Sequence, residues 1–270
     1  MGIRQEGGRE VTVSSFDLTG RVAIITGSSR GIGAAAARKL AEHGAKVVIS
    51  SRKQDACDTV AGEINALHGA GTAIAIAASI SRKEDLQNLV DQTRAQLGPV
   101  DILVCNAASN PYYGPMSGIS DDQFRKILDN NVLSNHWLVQ MALPDMRAAG
   151  RGSVIIISSI GGMQGTASIG VYNISKAADF QLARNLAVEL GRDNIRVNCI
   201  APGLIQTEMA RALWENEALM GYVGKVTPLR RIGQPDEIAG AVVFLASDAS
   251  TYITGQSIVI DGGTTIAAAL

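Results

Sequence analysis

The chain has 270 residues, 46% of them hydrophobic, with 24 basic and 25 acidic side chains and a formal net charge of −1. That length suits one domain at the upper end of the usual range, and the balanced charge gives no electrostatic case for nucleic acid or a membrane surface as partner. No apolar run reaches the ~20 residues of a membrane span. Cys57, Cys105 and Cys199 form neither a Cys-x-x-Cys pair nor a ligand cluster with the three histidines, so no metal is expected and free thiols in a reducing cytoplasm fit best.

Residues 1–16 read as a flexible tail. The stretch to Ser15 is polar and lacks the apolar core of a signal peptide. Glu6 stands where myristoylation needs Ser or Thr. Residues 17–270 read as a single domain. Its apolar strand-like runs are Val22–Thr26, Lys46–Ser50, Ala73–Ala77, Asp101–Cys105, Ser153–Ser158, Ile195–Ile200 and Ser257–Asp261, with helical stretches between them. The helical stretches include Ala34–Glu42, Asp121–Met146 and Val171–Gly191. Near-continuous apolar strands alternating with helices predict a doubly wound, mostly parallel seven-stranded α/β sheet, covered by helices on both faces. Residues 208–231 interrupt the alternation.

Two places carry chemistry. After the first strand comes Gly27-Ser28-Ser29-Arg30-Gly31-Ile32-Gly33, then a helix. This is the context of a dinucleotide site: Gly27 permits the tight turn, Gly31 lets the backbone approach a pyrophosphate, and Gly33 lets helix and strand pack closely. The second strand ends in Ser51-Arg52-Lys53, and the first carboxylate beyond it is Asp55. An NAD site commonly puts a carboxylate there for the ribose 2′-OH. Arg52 and Lys53, with Arg30 from the glycine turn, favour the 2′-phosphate of NADP(H) instead. The other place is Ser159, at the end of the fifth strand, followed by Tyr172 and Lys176. Four residues apart on a helix, the phenol and the ammonium share a face. A nearby cation favours the phenolate, which gives a proton donor and acceptor usable near neutral pH.

The glycine motif and Ser159, Tyr172 and Lys176, in that order and spacing, resemble the short-chain dehydrogenase/reductase family over most of the chain, from about Leu18 to Thr264. Asn131, in Asp129-Asn130-Asn131-Val132, resembles its fourth catalytic member. The segments Asn194–Gly203 and Ile253–Gly263 resemble its last two strand signatures. The resemblance implies a Rossmann fold and catalysis by Asn131, Ser159, Tyr172 and Lys176. It implies that Asn131 interrupts its helix and holds a water on the proton path to Lys176. It further implies cofactor contacts from Gly27, Ser29, Arg30, Gly31, Ile32, Gly33, Ser51, Arg52, Lys53, Ser79, Ile80, Asn106, Ala107, Tyr172, Lys176, Pro202, Gly203, Ile205 and Thr207. Two departures stand out: Ala108 replaces a glycine, and Ser79 replaces the acidic residue that bonds adenine.

By position, residues 208–231 resemble the family's substrate lid. Met209, Leu213, Trp214 and Tyr222 from the lid, with Pro111, Tyr112, Tyr113 and Met163 opposite, describe an apolar pocket. The expected substrate is an uncharged ketone, aldehyde or secondary alcohol; Asn106–Gly114, Ser50–Lys53 and Asn198–Leu204 resemble the NADP-dependent carbonyl and retinal reductase branch of the family. Arg211 and Lys225 are the cations available to an anionic substrate. A 3-oxoacyl-(acyl carrier protein) reductase is the alternative, and a cofactor-binding sensor without turnover is the non-enzymatic one. Relatives of this size imply a homotetramer. Phe180, Leu182, Leu186, Ala187 and Leu190 are expected to form an apolar set broader than one sheet-facing stripe.

Overall fold

The computed structural model of the chain describes residues 2–6 and 9–267. Strands β1 (Gly2–Glu6) and β2 (Arg9–Val13) pair antiparallel with each other alone, where the sequence reading expects a tail. The next elements are β3 (Val22–Thr26), α1 (Gly31–Glu42), β4 (Lys46–Ser50), α2 (Gln54–His68), β5 (Ala73–Ala75), α3 (Lys83–Gln96) and β6 (Ile102–Cys105). Beyond them lie α4 (Asp121–Leu128), a π-helical turn (Asp129–Leu133), α5 (Ser134–Ala149), β7 (Gly152–Ile157), α6 (Gly170–Leu190) and β8 (Ile195–Pro202). The chain closes with α7 (Arg211–Trp214), α8 (Glu217–Val226), α9 (Pro235–Ala246) and β9 (Ser257–Ile260). The seven-stranded sheet runs β5-β4-β3-β6-β7-β8-β9, every pair parallel.

Successive strand residues point to opposite faces, and both faces are buried. Ala23, Ile25, Val47 and Ile49 pack under α1, α2 and α9, against Leu40, Ile64 and Val242. Ile24, Val48, Leu103 and Val154 pack under α3, α5 and α6, against Leu89, Leu138 and Leu186. That is why the strands read as unbroken apolar runs.

Three local expectations change. The strand expected to reach Ala77 ends at Ala75, because the Gln54 side chain replaces a strand partner at this sheet edge. Its Nε2 donates to Ala75 O, and Ala77 N donates to its Oε1. The helix expected over 121–146 is split by the π turn, where Ser134 N–H bonds Asp129 O five residues back. This is the interruption at Asn131 that the resemblance implies. Finally, Phe180, Leu186, Ala187 and Leu190 are buried within the chain's own core and Leu182 packs against it. The set does not exceed what the sheet itself covers, and the apolar side chains that α6 exposes are Ile174 and Val188.

Candidate active site

The chain leaves β3 toward β4 and β5 on one side of the sheet and takes up β6 on the other. Such a reversal opens a crevice at the carboxyl ends of the strands, where open α/β sheets bind their ligands. The glycine turn lies at this crevice. Gly27 and Gly31 have φ of 66° and 58°, the left-handed region that glycine enters without strain. A methyl on Gly33 would lie 2.5 Å from Gly27 O and 2.6 Å from Asn106 Nδ2. Asn106 Nδ2 donates to Thr26 O at 2.9 Å and Gly27 O at 3.2 Å, and the amides of Asn106 and Ala107 both donate to Thr26 Oγ1. The retained asparagine therefore ties the glycine turn to the loop after β6.

No side chain caps α1 at Arg30, which leaves the first N–H groups of the helix to an outside acceptor. An uncapped N-terminus beside glycines packed too tightly for a methyl fits the pyrophosphate of a dinucleotide. Ser29 lies half-buried in the turn, and Ile32 packs against the core beneath it. From the far side, the Thr207 methyl would lie 3.3 Å from a Cβ on Gly31. The loop that carries Thr207 begins at Pro202, the end of β8. It is fixed by Gly203 N donating to Ile260 O and by the buried Ile205, bridged to Gly233.

At the end of β4 the half-buried Ser51 has its hydroxyl 3.2 Å from Cys57 Sγ. Arg30, Arg52 and Lys53 are exposed and form no ion pair with another described residue, and Asp55 is exposed on α2. Beyond β5, the Ser79 amide donates to Asp85 Oδ2 and its hydroxyl lies 2.8 Å from that of Ser81, while Ile80 packs against the core.

The proton-transfer candidates come together beside this cradle. Ser159 follows β7, and its Oγ accepts from Gly161 N at 3.0 Å. Tyr172 is half-buried in the first turn of α6. Lys176 is 2% exposed, with Nζ 5.7 Å from the centre of the Tyr172 ring. Its Nζ donates to Ile157 O at 3.0 Å and to Asp179 Oδ2 at 3.1 Å. Burial pulls the Lys176 ammonium down, but the Asp179 carboxylate and Tyr172 outweigh it and hold its pKa above the ordinary lysine value. Asn131 is fully buried in the π turn. Its Oδ1 accepts from Ser109 N, and its Nδ2 donates to Ser109 O and Ser175 Oγ.

A shallow recess with almost no free interior volume borders Tyr172, lined by Asn110, Tyr112, Met116, Ile119, Ile169 and Val171. Of the wall expected opposite the lid, Tyr112 takes part, its OH bonded to Pro115 O, while Tyr113 and Met163 are exposed. The lid segment forms α7 and α8, neither of which buries a residue. Trp214 Nε1 donates to Thr207 O and links α7 to the loop after β8. Arg211 pairs with Glu208 and Glu215, so its charge is already met. Asp179 and Asn135, both buried beside Lys176, were not singled out from sequence. The available signal for Asp179 was its i,i+3 spacing from Lys176.

A sequence model for a family described as Enoyl-(Acyl carrier protein) reductase matches residues 27–265. Dehydrogenase/reductase SDR family member 4 of Homo sapiens is 40% identical over 248 residues, 92% of this chain and 88% of that protein. Gluconate 5-dehydrogenase from Burkholderia cenocepacia J2315, solved with NADP and tartrate, superposes with a TM-score of 0.89 at 34% identity. The match covers 94% of this chain and 98% of that one. A 7α-hydroxysteroid dehydrogenase solved with NADH and 7-oxo glycochenodeoxycholic acid gives 0.89 at 37% identity, with the same coverage. Likeness of this extent, added to the parallel sheet and the crevice it builds, shows that the chain belongs to the short-chain dehydrogenase/reductase family, oxidoreductases that bind a nicotinamide cofactor and act on alcohol and ketone groups.

Proposed function

We propose that this chain uses NADP(H) to reduce an apolar ketone or aldehyde, or to oxidise an apolar secondary alcohol. The observation that carries the reading is Tyr172, backed by the buried Lys176 and bordered by the apolar side chains of Met116, Ile119 and Ile169. The bound cofactor supplies or accepts the hydride. Tyr172 gives its proton to the carbonyl oxygen in reduction and takes it back in oxidation. The Ser159 hydroxyl donates to the same oxygen and stabilises its developing charge. Lys176 favours the phenolate and holds the nicotinamide ribose, and Asn131 braces the loop at Ser109. Arg30, Arg52 and Lys53, exposed and unpaired among the described residues, hold the 2′-phosphate. The protein works as a homotetramer in a reducing, cytoplasmic setting. A second reading is reduction of the ketone of a 3-oxoacyl chain on acyl carrier protein; the description of the matching family shares that carrier but names reduction of an enoyl group.

The test is titration with both reduced cofactors, followed by turnover. NADPH should bind at least about tenfold more tightly than NADH, a difference of about 1.4 kcal/mol, and Arg52→Asp should reverse the order. Equal or tighter NADH binding by the unmodified protein sinks the cofactor assignment. Apolar ketones should then drive NADPH consumption. Turnover of 3-oxoacyl thioesters alone supports the second reading, and binding without turnover of any carbonyl leaves a sensor.

A further inference from the structure

Asp179 lies three residues after Lys176 on α6 and is fully buried. Its Oδ2 accepts from Lys176 Nζ at 3.1 Å, and its Oδ1 accepts from Asn135 Nδ2 at 3.2 Å. Asn135, itself buried, also donates to the main-chain oxygen of Asn131 at 2.6 Å. A continuous chain of protein groups therefore runs from the π turn, through Asn135 and Asp179, to the ammonium of Lys176. An apolar side chain would fill this part of the sheet–helix interface without desolvating a charge.

We propose that Asp179 is a positioning residue, a buried counter-ion that keeps Lys176 in its ammonium form and, through Asn135, ties it to the turn carrying Asn131. The proposal rests on the reading of Tyr172 and Lys176 as the proton-transfer pair. The groups around the pair are few. On α6 itself they are Tyr172 and, further along, Arg184, whose field reaches Cys199. From β6 and β8 come Cys105 and Cys199, whose thiols burial pushes well up, so they stay neutral. Burial pushes the Asp179 carboxyl up, and the Lys176 ammonium, with the uncharged Asn135 on α5 and Ser158 after β7, draws it back down. Asp179 is thus the counter-ion in contact with Lys176 among the described residues. Without it, burial acts on the ammonium with much less opposition.

The sign follows. Reduction needs the phenol and the ammonium both protonated, and a carboxylate beside them favours both protonated forms. Asp179→Asn should therefore move the alkaline limb of the kcat/KM profile for reduction to lower pH by about one unit or more, a tenfold change in proton concentration. Asp179→Glu should return the limb toward its original position. A profile merely scaled down, with the limb unmoved, overturns the proposal.

A second arm needs no turnover and covers the case in which Asp179→Asn folds poorly. Lys176→Met leaves Asp179 buried and unpaired. Adding Asp179→Leu to that variant should raise the melting temperature of the cofactor-free protein, although Asp179→Leu alone should lower it. Additive losses overturn the proposal. Coupled melting with an unmoved alkaline limb overturns it too, because the pair is then structural. Full turnover by Tyr172→Phe would remove the underlying proton-transfer reading, and that result is separate from both arms.

Discussion

At the scale of single residues, the phenol and the ammonium can be separated by substitution. Tyr172→Phe keeps the ring and removes the hydroxyl. Reduction should fall by roughly two to four orders of magnitude, the usual share of a general acid, while NADPH affinity stays within about twofold. Substantial turnover would identify another proton donor. Lys176→Ala should weaken NADPH binding and also stability, because it strands the buried Asp179 carboxylate. Breaking a buried pair from one side costs about 3–5 kcal/mol, so an unchanged melting temperature would contradict the burial argument. The positions of Ser159 at a strand end and of Tyr172 and Lys176 on one helix were legible from spacing, and that of Asn131 only from the family resemblance. That of Asp179 was not. In a 21-residue helix one aspartate among mixed neighbours reads as solvated, and only packing against β6 and β8 puts it in the interior.

Among the elements, strands were legible wherever both faces are covered, since an unbroken run such as Val22–Thr26 has one reading. The end of β5 was not, because Gln54 comes from a different element. The return of the chain from residues 208–231 to the core rests on another local device. Glu237, in the first turn of α9, accepts from Gln234 N at 2.8 Å and takes a two-pronged bond from Arg231, both distances 2.7 Å. The Arg231 guanidinium, then the Gln234 amide, hold its carboxyl at about 2, against an ordinary 4.5. A folded-state value below the unfolded one stabilises the fold above pH 4.5, and that contribution disappears as pH falls toward 2. Glu237→Gln should therefore melt below the unmodified protein at pH 7, and the gap should close between pH 4.5 and 2. A gap independent of pH would mean that packing, rather than charge, holds this junction.

For the whole molecule, a parallel sheet covered by helices on both faces follows from alternating strands and helices, so that much was legible before any contact was known, whereas the strand order comes from the structure. For assembly the expectation changes, because the apolar residues expected to exceed one sheet-facing stripe pack into the chain's own core. The surfaces that remain point to two contacts. Ile174 and Val188 are exposed on α6, Val188 at 87%. Strand β9 is a sheet edge four residues long, with Val259 partly exposed and its outer backbone groups open to a second strand. Just beyond it, Gly262 and Gly263 lie against Thr227 and Pro228, so the start of the tail turns back onto the chain's own lid and away from that edge. If each surface pairs with its own copy, two such contacts on one chain close a four-subunit assembly. Light scattering after size exclusion should give close to four times the 28.2 kDa chain. Val188→Glu should break the helix contact and Val259→Lys the strand contact, each leaving a dimer, and the two together a monomer. The unmodified protein running as a single subunit at micromolar concentration would remove the tetramer. A tetramer that survives both substitutions would place the interfaces elsewhere on the surface.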